Sequence, residues 1–262
     1  MIYTCYDMIR DCRAGRPEGW SYFASNYVPV IRRILAHYAP DRAPALLRPV
    51  LDEIRRPQSN LFSSLDPAPE RWFVAELRRH VLDAVDKFEA PEEPSHTVAL
   101  ETLSEALAPL TVVEKQAAWM ETMRYTPSET GTLLRMEPRT VEKIRAKAAE
   151  LLRAKMDAWS QSILAANGRQ LGLAAAAGPA GADCLPAKSF LEILDGRANW
   201  DSRESMERHV GACWHCIDHF CRMVEVVELL RGIQPLSESE TSEFLGVAPK
   251  KKPAWKRLFG AT

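Results

Sequence analysis

The feature that most constrains this chain is a set of metal-ligand side chains near its carboxyl end. Cys184 is followed by His209-Val-Gly-Ala-Cys213-Trp-His-Cys216, a C-x24-H-x3-C-x2-C spacing. An α-helix turns by about 100° per residue, so offsets of four and seven return almost to the same azimuth. Positions 209, 213 and 216 are therefore expected on one stripe of one helix. Cys184, ahead of the helix suggested by Phe190-Leu191-Glu192-Ile193-Leu194, is expected to bring the fourth ligand from a neighbouring element. Three thiolates and one imidazole form a closed tetrahedral set with no open position for substrate, the donor set of a structural zinc site. The competing reading is that these are small buried residues of a helical hairpin, where cysteine often sits without function. His219, three residues after Cys216, could serve a shifted site, whereas His215 and Cys221 are rotated off the stripe. Cys5 and Cys12 are read as core residues of a first helix.

The rest of the composition is ordinary: 46% hydrophobic, 26% charged, formal net charge -1 over 262 residues. That length allows two or three small domains with their own cores. The charge excludes a globally basic nucleic-acid coat but leaves local patches open. No apolar run reaches the roughly 20 residues of a membrane span, and the start shows no secretory signal. A cytoplasmic location is expected, where six cysteines serve as ligands or buried thiols rather than disulfides.

Helical periodicity runs throughout, without alternating strand patterns, so an all-α fold is expected. A first block spans 1–92, closed by the helix-incompatible Ala90-Pro91-Glu92-Glu93-Pro94-Ser95. A second covers 99–164, and Ala174 to Asp183 reads as another linker. The metal-ligand block covers 184–232, and 233–262 reads as a disordered basic tail, with Trp255, Leu258 and Phe259 among its cations.

In the second block, Thr126 or Ser128 can cap a short helix with Pro127 in its first turn. Glu137-Pro138 makes a break, and a longer cationic helix is expected from Thr140 to about Ala158. Two helices joined by a short turn suit docking in a DNA major groove. Eight basic and four acidic side chains lie between Arg124 and Lys155, a local excess that phosphate attraction requires. Arg139, Thr140 and Lys143 are placed to reach base edges, and Arg145 and Lys147 to meet phosphate. The alternative is a helical hairpin with a solvated charged face.

Three stretches carry a family resemblance. Residues 184–230 resemble the bacterial zinc-binding anti-sigma domain, in which an H-x3-C-x2-C helix and an upstream cysteine hold zinc. Glu129, Leu133-Leu134, Thr140-Val141 and Lys147-Ala148 are similar in order to the fourth region of extracytoplasmic-function sigma factors, which contacts the upstream promoter element. Arg135 stands where that family commonly has glycine, and Gly131 where alanine is usual. Trp20-Ser-Tyr-Phe23, Tyr27-Val-Pro-Val-Ile31 and Arg71-Trp72-Phe73 through Asp83 resemble the second sigma region. The family's basic run after Asp83 is replaced by Ala84-Val-Asp-Lys-Phe-Glu89. Trp72 and Phe73 are read either as core aromatics or as base-stacking residues. The resemblance implies a sigma region 2-like bundle, a sigma region 4-like helix-turn-helix domain and a small zinc-binding helical domain. It also implies RNA polymerase core and promoter DNA as partners. Separately, a flexible linker of about 20 residues spans on the order of 25 Å, a reach that lets the zinc module fold back on the sigma-like domains in cis. No catalytic residues are expected. The alternative function is a degenerate sigma-like or anti-sigma-like regulator that acts by protein contact without opening promoters.

Overall fold

The computed structural model describes residues 2–56, 59, 61–62, 69–88, 105–155, 184–185 and 187–246. Every regular element among them is α-helical, the expected class. The segments read as linkers, 90–95 and 174–183, and the cationic stretch 249–259 lie outside the described residues. No described helix is long and apolar enough to cross a membrane. The chain divides into two compact units, Met1–Val85 with Leu229–Thr262, and Asp86–Glu228.

The first unit is built from α1 (Cys5–Arg13), α2 (Pro17–Tyr38), α3 (Ala43–Arg55) and α4 (Glu70–Phe88). Thr4 starts α1 with a reciprocal capping box to Asp7, which satisfies two amide groups the helix leaves open. The core is α2: Val30, Ile31, Ile34 and Leu35 are fully buried, and rings cluster at its start. Tyr27 meets Phe73 of α4 edge-on at 4.8 Å, and Phe62 stacks on Phe73 at 6.0 Å. Phe73 is thus a core aromatic with no face left for a base, while Trp72 is half-buried. Cys12 is buried and Cys5 half-buried, and burial pushes the Cys12 thiol up to about 12.

The stretch 233–262, expected to be disordered, instead contains α11 (Glu238–Leu245), and this part of the expectation is corrected. Ser237 and Glu240 form its capping box, and the acidic cluster at 238–243 places two carboxylates against the positive end of the helix dipole. α11 packs on α2, with the Arg32 guanidinium 5.0 Å above the Phe244 ring. Arg33 donates to the carbonyls of Leu229 and Arg231 at 3.0 and 2.8 Å.

Pro29, inside α2, prepares this docking. Proline has no N–H, so the carbonyl four residues earlier loses its helical partner. That carbonyl belongs to Ser25, and the Leu236 amide donates to it at 2.8 Å, while Ser25 Oγ donates to the Leu236 carbonyl at 3.2 Å. Pro29→Ala would restore the internal partner and compete with Leu236. Its expected effect is a roughly fivefold faster hydrogen exchange at the Leu236 amide, equivalent to about 1 kcal/mol, with α2 itself stabilised. Amide exchange followed by NMR or mass spectrometry checks this; unchanged protection at Leu236 would show that the carbonyl serves both donors.

The second unit contains α5 (Val112–Thr122), α6 (Pro127–Leu134), α7 (Pro138–Lys155), α8 (Ala187–Leu194), α9 (Trp200–Val210) and most of α10 (Trp214–Leu230), which continues into the first unit. As far as Glu228, the block 184–232 expected as a separate domain shares this unit with residues 105–155.

Candidate metal centre and helix-turn-helix face

Cys184, His209, Cys213 and Cys216 converge: their ligand atoms all lie within 4.8 Å of one another, so the cluster could hold a metal ion. Cys184 Sγ stands 3.7 Å from Cys213 Sγ, and His209 Nε2 is 3.1 Å from Cys216 Sγ. The expectation that three ligands share one helix is corrected. His209 lies in the last turn of α9, Cys213 in the connecting turn and Cys216 in the first turn of α10. The spacing survives the break because the Cys213 amide still donates to the His209 carbonyl at 3.1 Å, as it would within a helix. Cys213 therefore stays one turn above His209, and its own carbonyl accepts from Ile217 to start α10. Cys184 arrives from the segment before α8.

Cys216 is fully buried, and burial pushes its thiol up to about 12, against a smaller opposing pull from the Leu185 backbone N–H. Such a thiol stays protonated on its own, and a bound cation is what would make the thiolate favourable. His219 is not part of the cluster. Its ring packs 5.0 Å from Phe190, and burial, with His215 and Arg222 nearby, holds it down at about 4. Cys221 is fully buried, with its thiol raised by desolvation.

The helices around the cluster pack directly on α5. Trp214, between two ligands, stacks on Trp119 with ring centroids 4.9 Å apart and planes at 29°. Trp119 Nε1 donates to Asp218 Oδ1 at 3.1 Å, and Asp218 also pairs with Arg222 at 2.6 Å. Lys115 donates to the Gly211 carbonyl. A Cβ at Gly211 would stand 3.0 Å from Val112 Cγ2 and 3.2 Å from the Glu207 carbonyl, a tight fit in which those neighbours would have to give by a few tenths of an ångström. None of Lys115, Trp119 and Asp218 carried a local signal. Trp119 and Asp218 are 99 positions apart, and nothing in either segment announces the other.

In the helix pair, Thr126 caps α6 with a reciprocal box to Glu129. α7 starts at Pro138, two residues earlier than expected, because proline suits the first helical position. Arg135 takes the left-handed conformation at the turn, φ 56° and ψ 49°, and its amide bonds to Gly131. A Cβ at Gly131 would stand 2.6 Å from the Met136 carbonyl oxygen. The glycine is thus needed in the helix by close approach, and the turn tolerates arginine at a conformational cost of about 1 kcal/mol.

Arg139, Thr140 and Lys143 are exposed on the first two turns of α7. Arg145, expected to meet phosphate, is turned inward instead. It donates to the Tyr125 carbonyl at 2.8 Å and to Thr130 Oγ1 at 3.0 Å, and its side chain is 11% exposed. Position 145 follows the buried Ile144, which rotates the guanidinium toward the block's interior. Lys147 remains exposed and pairs with Glu114 at 2.9 Å.

Among the described residues, fold and cluster together give an all-α protein with a Cys3His cluster that could hold a metal ion. No family model, no curated protein and no solved structure matches the chain.

Proposed function

We propose that the chain is a promoter-recognition factor of the extracytoplasmic-function sigma type, with a zinc-stabilised module acting on it in cis. The observation that carries this reading is the distribution of cations on α7. Arg139 and Lys143 make no hydrogen bond or ion pair among the described residues, while Arg145 and Lys147 are engaged within the protein. Free cations and a hydroxyl at the start of the second helix of a helix-turn-helix pair suit base edges and phosphates. Replacing Arg139 or Lys143 by alanine is expected to cost roughly 1–3 kcal/mol at a specific duplex selected by the protein. Fluorescence anisotropy at fixed salt measures it; affinity indifferent to both changes would remove α7 from the DNA contact.

The donor set supports zinc as the ion. Soft thiolates with one imidazole favour it. Bonds of about 2.3 Å in a tetrahedron separate neighbouring sulfurs by about 3.8 Å, close to the 3.7 Å between Cys184 and Cys213. Four protein ligands complete the shell, so the ion's contribution is to the fold. Docking of α11 and of residues 229–236 on α2 supports a carboxyl-terminal segment that would limit access of RNA polymerase core to the amino-terminal unit.

A second reading, a sigma-like interaction protein without promoter opening, is favoured by the burial of Phe73 and by the absence of a basic run after Asp83. Promoter-directed transcription by purified core polymerase separates the two. Transcripts support the first reading, and polymerase binding without transcripts supports the second.

A further inference from the structure

We propose that DNA and the metal module occupy opposite sides of the helix-turn-helix block, so that DNA is read while the module remains docked. This rests on the reading of α7 as the DNA-contacting helix. The separator is α5. Val112, Lys115 and Trp119 form one stripe of it, and all three face the residues that carry the metal ligands: Gly211, Trp214 and Asp218. Glu114 and Glu121 form another stripe and face α7. Glu114 pairs with Lys147 at 2.9 Å, and Glu121 lies 3.9 Å from Arg145. At about 100° per residue the two stripes lie roughly 140° apart around the α5 axis.

The module's contacts thus spend the far side of α5, and the near side is spent holding α7 in place. Val141, Ile144 and Ala148 of α7 point into the block. Arg139, Thr140 and Lys143 remain exposed with the module docked. Arg145 and Lys147 flank the buried stripe of α7 on its two sides and reach Glu121 and Glu114 of α5, whereas Arg139 and Lys143 lie on the outward face. A duplex along that face meets cations without displacing Trp214 or the ligand turn. A restraint by the module in cis would then act on a partner other than DNA.

The test uses the full-length, zinc-loaded chain and a duplex selected from a random-sequence pool, with hydrogen exchange read before and after addition. Exchange is expected to slow across residues 135–143 and to stay unchanged across 112–119 and 209–218. Gly211→Leu, which forces a side chain against Val112 and loosens the module, is expected to change duplex affinity by no more than about twofold. Arg139→Ala is expected to lower it about 5- to 150-fold. Faster exchange at 209–218 on adding duplex would mean that DNA displaces the module, overturning this proposal while α7 keeps its role. Absence of duplex binding, or binding insensitive to both Arg139→Ala and Lys143→Ala, would instead overturn the role of α7 and the proposal with it.

Discussion

Cys213→Ser and Cys216→Ser should each strip the metal from the protein and unfold the segment around it. The expectation is one metal ion per chain in the parent and a severe loss in both variants, measured by elemental analysis of the purified protein. Structural zinc contributes of order 10 kcal/mol of apparent binding free energy at neutral pH in small modules, more than the whole stability of many domains. The helices that meet at the ligands are short: α8 has 8 residues and α9 has 11. Isolated helices of that length are marginal in water, so their far-UV circular dichroism signal should fall with the metal. Chelation of the parent should reproduce the loss. Metal retention should also weaken as pH falls, because the ion competes with protons for three thiols, and burial already pushes Cys216 up to about 12. Full occupancy in both serine variants would sink the assignment of these ligands.

Trp119→Ala is the second large effect. The side chain is 2% exposed, stacks on Trp214 and donates to Asp218. Truncating a buried tryptophan costs about 3–5 kcal/mol in lost burial and cavity formation. Asp218, itself 2% exposed, would also lose a neutral donor. Trp119→Phe separates the two contributions, since it keeps a ring for Trp214 but removes the indole N–H. Its expected cost is about 1–3 kcal/mol, the range for leaving a buried polar atom short of a partner. Denaturant unfolding of the metal-loaded chain gives both numbers. A loss below about 1 kcal/mol for Trp119→Ala would mean that α5 and the ligand-bearing helices do not pack in solution, and the opposite-sides geometry would lose its anchor.

Some elements of the structure carry plain local signals in the sequence. Ser237-Glu-Ser-Glu240 is a capping box, and Phe244-Leu245-Gly246 supplies an apolar face and a left-handed stop, φ 67° at Gly246. These are local signals of a helix in a stretch whose basic end suggested disorder. The docking site for that helix was less accessible. Pro29 announces an open carbonyl at Ser25, but only the folded chain shows that Leu236 takes it, 211 positions away.

What the sequence determined by itself is what short-range geometry controls. Helical periodicity defined the class, Thr126 with Glu129 and Pro138 bounded the helix pair, and the 209-213-216 spacing held three ligands together. That spacing worked even though the helix breaks, because one i-to-i+4 hydrogen bond between Cys213 and His209 carries the register across the turn. The tertiary structure decided the matters that depend on partners far along the chain. Arg145 looks like any surface cation in sequence, yet the Tyr125 carbonyl and Thr130 draw it inward. Lys147 and Trp119 acquire their roles from Glu114 and Asp218. A side chain's charge and size are written locally, but its burial and its partner are set by which helix face meets which, and long-range packing alone fixes that.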